Sequence, residues 1–333
     1  MPKRWFVLCL SLFLCLLLLS PLPSIKPIPR RLYDVIRSGS AALDLPCDCD
    51  SGRPVDGAVP STCSARATSR GPGQRVVSYS LFGSARNNGR ATGRFEGLFA
   101  ENAENIKARY PGWTMRVYTN YKPEIPEQRE WMCGMQCNHS HVDFCLVDRL
   151  PGLGNITGLQ NQGRMWRFLP GMDPLVDVFL SRDSDSLILD RERAAVQEWL
   201  DSDFMFHIMR DHPGHYAYIL AGLWGAKPHM DRELMANLTR RMLFHTESKH
   251  RKTFDQEVLR RVLWPATKDR MMAHDSYYCT NPNFRGPTYR PFPTRIEGRL
   301  FVSYGPRFAN TKRNNRKCPA KCRPPDHQDW ELC

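Results

Sequence analysis

The amino-acid sequence predicts an α/β protein in which one buried strand ends at a pair of carboxylates. In residues 175–186, an apolar run with β-branched and aromatic members stops abruptly at Asp183 and Asp185. Between Arg75 and Tyr118, a strand, a glycine-containing loop, a helix and a second strand form the pattern of a βαβ unit. Ligands of open α/β sheets bind outside the carboxyl ends of strands, so we expect a ligand site beside the two acids.

The remaining elements follow from apolar periodicity and from helix-terminating residues. Predicted strands cover 76–82, 115–118, 142–147 and 175–182, and predicted helices cover 95–106, 190–200, 232–244 and 254–263. Thr253 and Gln256 have the spacing of a capping box before the last helix. The loop after the first strand is neither Gly-x-Gly-x-x-Gly nor a P-loop, so the sequence supports no dinucleotide or Walker-type site.

Composition and charge indicate a folded protein with anionic partners. The chain has 333 residues, of which 41% are hydrophobic and 24% charged, and a net charge of +13. Nucleotide diphosphates, acidic glycans and membrane surfaces all suit that charge. The sequence has no zinc-finger spacing and no continuous basic helix, so we expect no nucleic-acid partner.

The N-terminal segment predicts a membrane anchor. Residues 5–19 are apolar apart from Ser11 and follow Lys3 and Arg4, a pattern shared by signal peptides and short signal anchors. Prolines crowd the possible cleavage site, which favours a retained anchor. We therefore expect a cytoplasmic tail (1–4), an anchor (5–22), a flexible stem (23–74), an α/β domain (75–305) and a basic, cysteine-containing tail (306–333). A retained anchor and a cleaved signal peptide both place the rest of the chain in the lumen or outside the cell.

Glycosylation acceptors and cysteines agree with a lumenal location. Asn138, Asn155 and Asn237 each begin an Asn-x-Ser/Thr triplet. Ten cysteines follow the apolar segment, at positions 47, 49, 63, 133, 137, 145, 279, 318, 322 and 333. An even number in an oxidising compartment predicts disulfides, whose pairing cannot be deduced from spacing. Zinc at the pairs 133/137 and 318/322 is the rival interpretation.

Several short motifs together resemble a family of glycosyltransferases with a GT-A fold. These are Leu180-Ser-Arg-Asp-Ser-Asp-Ser186, Arg191-Glu192, Met209-Arg-Asp-His-Pro213, Gly222-Leu-Trp-Gly225, Ser78-Tyr-Ser-Leu-Phe-Gly83, Tyr110-Pro-Gly-Trp113, Trp166-Arg-Phe168, Asp255-Gln256 and His274-Asp-Ser-Tyr-Tyr-Cys279. The resemblance covers residues 75–304. It implies a single GT-A-like (Rossmann-like) catalytic domain with a mixed sheet, on an anchor and stem similar to those of Golgi type II glycosyltransferases. The location that it implies is the Golgi membrane with a lumenal catalytic domain; the alternative is secretion.

The resemblance also implies metal-dependent transfer from a nucleotide-sugar donor to a glycan or glycoprotein acceptor. In such enzymes the Asp-x-Asp motif binds Mn²⁺, or Mg²⁺, together with the donor. Asp185 is then expected as the main metal ligand and Asp183 as a ligand through ribose or water. A later histidine commonly completes the metal site; His274 is the expected one, and His212 and His215 are its rivals.

Further site residues are expected from residue type. Arg182, Arg86 and Arg90 suit phosphate oxygens. The glycines of Gly222-Leu-Trp-Gly225 would let the backbone approach a sugar closely, and Trp224 suits the face of that sugar, although it suits core packing as well. An inverting enzyme also needs a carboxylate base for the acceptor hydroxyl, and the candidates are Asp211 and Asp275.

Two other functional classes fit parts of the sequence. An apolar run followed by Asp-Ser-Asp-Ser is similar to the motif of haloacid-dehalogenase phosphatases, in which the first acid, here Asp183, is the nucleophile. That motif normally opens its domain, whereas here about a hundred residues of predicted structure precede it. The second class is a glycan-binding protein that keeps a transferase fold without catalysis.

Overall fold

An eight-stranded sheet organises the protein, and our computed structural model describes residues 45–49, 59–83, 93–158, 162–244, 253–305 and 316–333. The strands are β1 (Gln74–Leu81), β2 (Thr114–Thr119), β3 (Val142–Leu146), β4 (Val176–Arg182), β5 (Phe206–Arg210), β6 (Leu223–Ala226), β7 (Met271–Asp275) and β8 (Thr288–Arg290). Their order across the sheet is β3-β2-β1-β4-β6-β5-β7-β8.

Helices flank these strands. The α-helices are α1 (Ala65–Ser69), α2 (Gly93–Arg109), α3 (Pro126–Asn138), α4 (Asp190–Leu200), α5 (Arg232–Leu243), α6 (Phe254–Val258) and α7 (Trp264–Thr267). A π-helical turn, Leu259–Leu263, joins α6 to α7, and a 3-10 helix, Gln162–Met172, precedes β4. Shorter 3-10 turns are Pro228–Met230, Lys268–Arg270, Pro282–Phe284, Ala320–Cys322 and Pro325–His327.

The sheet is mixed, as predicted. Strand β1 pairs in parallel with β2 and with β4, and β2 pairs in parallel with β3. Strand β6 runs antiparallel between β4 and β5, and β5, β7 and β8 are parallel to one another. The predicted α/β class is therefore confirmed.

Strand order reverses between β1 and β4, and this reversal locates a crevice. From β1 the chain continues through α2 to β2 on one side, whereas β4 lies on the other side of β1. The connections after β1 and after β4 therefore diverge above the carboxyl ends of these two strands. In open α/β sheets such a switch point is where ligands bind.

Strands β2, β3, β5, β6 and β7 are buried at every residue because both faces of the sheet are covered. Alternate residues enter opposite cores: Val76 and Phe179 pack on one face, and Val77 and Leu180 on the other. This double burial explains why β4 reads as a continuous apolar run that stops only at its acidic end.

The last predicted helix begins where expected, without the predicted cap. Helix α6 starts at Phe254, but the side chain of Thr253 makes no capping hydrogen bond. The reason is the Thr253 backbone, whose φ of −108° and ψ of 24° differ from the extended conformation of a capping residue. Asp255, within the same motif, instead makes a long-range contact described below.

All ten predicted cysteines form disulfides. The pairs are Cys47–Cys133, Cys49–Cys137, Cys63–Cys145, Cys279–Cys322 and Cys318–Cys333. Sequence neighbours bond to different partners, so the zinc interpretation of 133/137 and 318/322 is wrong.

Packed structure begins before Arg75, contrary to the predicted stem boundary. The hydroxyl of Ser61 donates to buried Asp173 at 2.5 Å, and Cys63 is bonded to Cys145. Helix α1 follows directly, capped by the Ser64 side chain. These contacts add residues 59–74 to the α/β domain, and local composition did not show them because every partner is distant in sequence.

The described C-terminal residues 316–333 also pack on the domain. Besides the disulfide to Cys279, Nη2 of Arg191 donates to the Cys333 carbonyl oxygen at 2.6 Å. No helix within the described ranges is long and apolar enough to cross a bilayer. The predicted anchor at 5–22 lies outside those ranges.

Candidate functional site

The two acids of the Asp-x-Asp motif lie where the sequence predicts. Strand β4 ends at Arg182, and Asp183 and Asp185 follow in a turn at its carboxyl end, beside β1. Both acids are half-buried, and the Asp183 side chain is 33% exposed. Both carboxylates are thus placed at the switch-point crevice, outside the apolar core.

Arg167 holds Asp183 in place. Its Nη1 donates to Asp183 Oδ1 at 2.5 Å, and its Nη2 donates to Asp255 Oδ2 at 3.0 Å. Nη1 also bonds the carbonyl oxygen of Arg182, and the Arg167 backbone N–H bonds the hydroxyl of Ser80 on β1. The nearly buried side chain of Arg167 therefore connects the acidic end of β4 to α6. Its backbone N–H connects the same region to β1.

Two carboxylates share the guanidinium of Arg167, those of Asp183 and Asp255. Burial raises the pKa of Asp255, the negative charge of Asp183 raises it further, and Arg167 opposes both effects. A cation brought to Asp183 would relieve the repulsion between the two carboxylates.

Gly222 makes room for the Asp183 carboxylate. A Cβ at Gly222 would lie 2.4 Å from both Cγ and Oδ2 of Asp183. Neighbouring Ser181, at the end of β4, donates its hydroxyl to the Ala221 carbonyl oxygen at 2.7 Å, which holds the glycine against the strand. From sequence we expected glycines here to admit a sugar; instead Gly222 admits a carboxylate.

The Asp-x-Asp turn is held from two sides. The side-chain amide of Asn102 on α2 donates to the Ser184 carbonyl oxygen at 3.4 Å. On the other side lies the covering segment, residues 301–305: the Ser186 and Ser303 hydroxyls are 2.9 Å apart, and a Cβ at Gly305 would overlap the Asp185 carbonyl oxygen. The turn therefore has a defined shape without any ligand.

The arrangement fits a hard divalent cation whose other ligands come from the substrate. Asp183 and Asp185 supply carboxylate oxygens, and the Gly222 cradle lets the Asp183 carboxylate lie close to the backbone. In the described part of the chain, no three His, Cys, Asp or Glu side chains form a metal-binding group. Mg²⁺ commonly binds one or two carboxylates together with substrate phosphates and water, so two acids suffice for that mode.

His274 is removed from the expected metal ligands. The ring lies on β7 with no exposed surface. Its Nε2 is 3.1 Å from Glu198 Oε2, which can only accept, so that nitrogen carries the proton. Its Nδ1 then accepts from Nε2 of His207 at 2.8 Å. Neither nitrogen keeps a lone pair for a metal.

Asp211 and Asp275 are removed from the expected bases because both are buried and fully engaged. Arg191 binds the two carboxylate oxygens of Asp211 at 2.8 and 2.7 Å, and the hydroxyl of Ser276 adds a bond of 2.6 Å. Asp275 accepts from Arg210 at 2.9 Å and from two backbone N–H groups. Such carboxylates stabilise the fold and have no access to an acceptor hydroxyl.

Arg182 and Trp224 are also interior residues. Nε of Arg182 donates to Glu192 at 2.7 Å, and the side chain is buried, so it does not reach a phosphate. Trp224 packs edge-on against Phe168 and Phe179, with ring centroids 5.2 and 5.1 Å away, which leaves no face for a sugar. Arg86 and Arg90 lie outside the described residues.

The two rival histidines remain candidates. His212 and His215 lie in the turn after β5, where both pack against Phe301, the first residue of the covering segment. Nδ1 of His212 accepts from the Gly214 N–H at 3.0 Å. Burial lowers the pKa of His212, so its ring is neutral near pH 7, the form that binds metals and accepts protons.

Sequence reasoning missed three residues that build the site: Arg167, Asp255 and Gly222. The first two belong to motifs that carry the family resemblance, but without a spacing that links them, because Arg167 and Asp255 are 88 residues apart. Gly222 was expected to lie against a sugar, and the structure places the Asp183 carboxylate against it. An ion pair between distant residues has no signature in a single sequence.

The glycosylation acceptors differ in exposure. Asn138 and Asn155 are exposed, and Oδ1 of Asn155 accepts from both the N–H and the hydroxyl of Thr157. Asn237 lies inside α5 and is half-buried, and the Thr239 of its triplet is fully buried. We therefore expect glycans at the first two positions only.

Comparisons with known proteins assign no family. No protein-family model matches the sequence, and no curated protein matches it. Among solved structures, the chain is similar to 4-diphosphocytidyl-2C-methyl-D-erythritol synthase from Anaerococcus prevotii, with 9% identity, a TM-score of 0.36, and coverage of 62% of this chain and 88% of that chain. It is also similar to an active-site mutant of LgtC, with 12% identity, a TM-score of 0.38, and coverage of 66% and 85%. TM-scores this low carry no argument, so the α/β assignment rests on the sheet itself.

Proposed function

We propose that the protein is a metal-dependent glycosyltransferase, which moves a sugar from a nucleotide-diphosphate-sugar donor to a glycan or glycoprotein acceptor. The observation that carries this proposal is the position of Asp183 and Asp185 at the carboxyl end of β4, beside β1, where strand order reverses. A phosphate-bearing ligand at this switch point would meet two carboxylates that can bind a divalent cation together with the phosphate.

The chain's own residues prepare the site for that ligand. Arg167 fixes the orientation of Asp183 through Oδ1, and Gly222 provides the space that the carboxylate occupies. Asp185, in the turn held by Asn102 and the covering segment, is the main candidate ligand. Mn²⁺ or Mg²⁺ bound by Asp185 and Asp183 would offset the negative charge that develops on the departing nucleoside diphosphate. His212 and His215 remain the candidates for a proton acceptor.

The secretory pathway is the proposed location. Five disulfides suit an oxidising compartment, because reducing buffers of the cytosol keep thiols free. We retain the expectation of an uncleaved anchor at 5–22 and a Golgi location, with secretion as the alternative. N-terminal sequencing of the expressed protein distinguishes the two, since a mature N-terminus beyond Ser20 would exclude the anchor.

The test of the proposed function is a substitution at Asp185. Asp185→Asn keeps shape and one acceptor oxygen but removes the charge that holds a hard cation. Calorimetry with Mn²⁺ and a nucleoside diphosphate should show binding to the parent protein and none to the variant, at an unchanged melting temperature. Asp190→Asn, an exposed acid nearby, is the matched control and should bind as the parent does. Equal binding by Asp185→Asn would refute the metal site.

Activity assays separate the other two classes. A screen of nucleotide-sugar donors with Mn²⁺ should release nucleoside diphosphate. Turnover of a generic phosphoester with Asp183 trapped as a phosphoenzyme would instead indicate a phosphatase. Glycan binding with no effect of metal or nucleotide would indicate a non-catalytic lectin.

A further inference from the structure

A second site, the basic cleft, lies apart from the Asp-x-Asp turn. Its volume is about 530 Å³, within the range of small-molecule sites. The cations that line it are Arg260, Arg261, Lys268 and Arg285, and its aromatic residues are Tyr218 and Trp264. Among the described residues, no Asp or Glu lines it.

The cations of the basic cleft exceed the carboxylates around them. Glu257 pairs with both Arg260 and Arg261, at 2.6 and 2.5 Å, and these two guanidinium groups lower the pKa of Glu257 to about 2. One carboxylate is thus shared by two cations. In the described ranges, no acid pairs with Lys268 or Arg285. Lys268 and Arg285 therefore leave positive charge at the cleft that can bind an anionic ligand.

The backbone around the cleft positions these cations. Arg260 and Arg261 lie in the π-helical turn Leu259–Leu263, an irregularity that is frequent at functional sites. The aliphatic stem of Lys268 lies across Gly286, whose hypothetical Cβ would be 2.8 Å from Cβ, Cγ and Cδ of that lysine. Gly286 has a φ of +132°, a conformation that favours glycine. A loop built to seat a lysine stem holds its ammonium group near the cleft.

The aromatic residues form a rigid wall. The ring of Tyr218 packs edge-on against Trp264 and Phe284, with centroids 5.0 and 5.2 Å away. A wall of this kind suits an apolar surface, such as the C–H face of a sugar ring. In the described part of the chain, the residues that line the opening form neither the long basic track nor the exposed stacking platforms that single-stranded nucleic acids require.

We propose that the basic cleft binds the carboxylate or sulfate group of an acidic oligosaccharide. Charge complementarity specifies the anion, and the Tyr218–Trp264 wall specifies the sugar ring that carries it. The cleft and the Asp-x-Asp site are connected through one helical run, residues 254–267. Asp255 contacts Arg167 at its start, and Arg260 follows about 8 Å along the axis.

The test is direct binding, measured on the whole purified protein without donor or metal. Fluorescence anisotropy would compare labelled hexasaccharides that are sulfated, uronate-bearing and neutral. Either or both of the anionic probes should bind at least tenfold more tightly than the neutral one, and which of them binds identifies the anion. Increasing salt should weaken this binding, because the contacts are charged and partly exposed.

Two double variants make the assignment specific. Lys268→Ala with Arg285→Ala should weaken binding of the anionic probe about tenfold, as loss of two exposed ionic contacts predicts. Lys107→Ala with Arg129→Ala removes the same charge from exposed positions on α2 and α3 and should change affinity less than about twofold. Equal losses in both would show a non-specific charge effect and overturn the proposal.

Two further outcomes are decisive. Binding of an acidic peptide of equal charge as tightly as the hexasaccharide, or equal binding of neutral and anionic sugars, would also overturn the proposal. Asp185→Asn should leave hexasaccharide affinity unchanged. The basic cleft can therefore be confirmed even if the transferase activity fails, and refuted even if that activity is found.

Discussion

Replacing Gly222 by alanine tests whether the Asp183 carboxylate is a ligand. The new Cβ would lie 2.4 Å from Cγ and Oδ2 of Asp183 and 2.8 Å from Oδ1, closer than these atoms can approach. The φ of Gly222 lies outside the left-handed region, so alanine fits the backbone. The carboxylate is the part that can move, and moving it breaks the bond to Arg167.

The expected cost to stability is small. Losing a charge-assisted hydrogen bond costs about 1.5–3 kcal/mol, and the 33% exposure of Asp183 places it at the low end. Replacing glycine by alanine where the backbone permits returns about 0.4–1 kcal/mol through the unfolded chain. The net loss is about 1 kcal/mol, or about 2–4 °C in melting temperature for a domain of this size. Affinity for Mn²⁺ with a nucleoside diphosphate should fall at least tenfold, because the loss of a contact that orients a metal ligand costs about 10–100-fold in metal affinity.

Gly225→Ala is the matched control, three residues along the same motif. Its Cβ would lie 2.8 Å from the Phe179 carbonyl oxygen and from Leu180 Cδ2, inside the core. Overpacking there should cost about 1–3 kcal/mol and leave the affinity of the folded protein unchanged. Calorimetry should show weaker binding only in Gly222→Ala, and thermal melts should show the larger loss of stability in Gly225→Ala. Parent-like affinity in Gly222→Ala would refute the role of Asp183, and a large drop in its melting temperature would make the glycine a packing residue.

Three further outcomes follow from buried groups and from exposure. Burial holds the pKa of His207 well below its ordinary value; below about pH 6.5 the unfolded chain therefore binds a proton that the folded chain does not, and the free energy of unfolding should fall by up to about 1.4 kcal/mol per pH unit. Urea titrations between pH 7 and 5 should show this fall, reduced in His207→Gln; equal slopes would contradict it. Asp211→Asn leaves the buried guanidinium of Arg191 without its carboxylate and should cost about 3–5 kcal/mol in the same titrations. If Asp211→Asn instead lost turnover at unchanged stability, Asp211 would be the catalytic base. Asn155→Gln should remove one glycosidase-sensitive mass increment and Asn237→Gln none, as judged by gel mobility; a shift in the latter would show that its helix is glycosylated.

Local sequence patterns were sufficient to predict the secondary structure around the site. Apolar periodicity located β4, α4 and α5 to within one residue, and the abrupt end of an apolar run placed Asp183 and Asp185 at the end of a strand. The βαβ pattern also indicated which end of the sheet binds ligands. These are local properties, because the apolar periodicity of a strand or a helix depends only on residues close together in the chain.

Which ionisable groups reach the Asp-x-Asp site depends on the tertiary structure. Arg182 and Arg167 are the same residue type, and sequence favoured the first because it adjoins the motif. The fold turns Arg182 inward to Glu192 and brings Arg167 to Asp183. His274 likewise has both ring nitrogens hydrogen-bonded, to Glu198 and His207 from other elements, so neither is left for a metal. Burial and choice of partner depend on contacts between residues far apart in the chain, so local pattern cannot determine them.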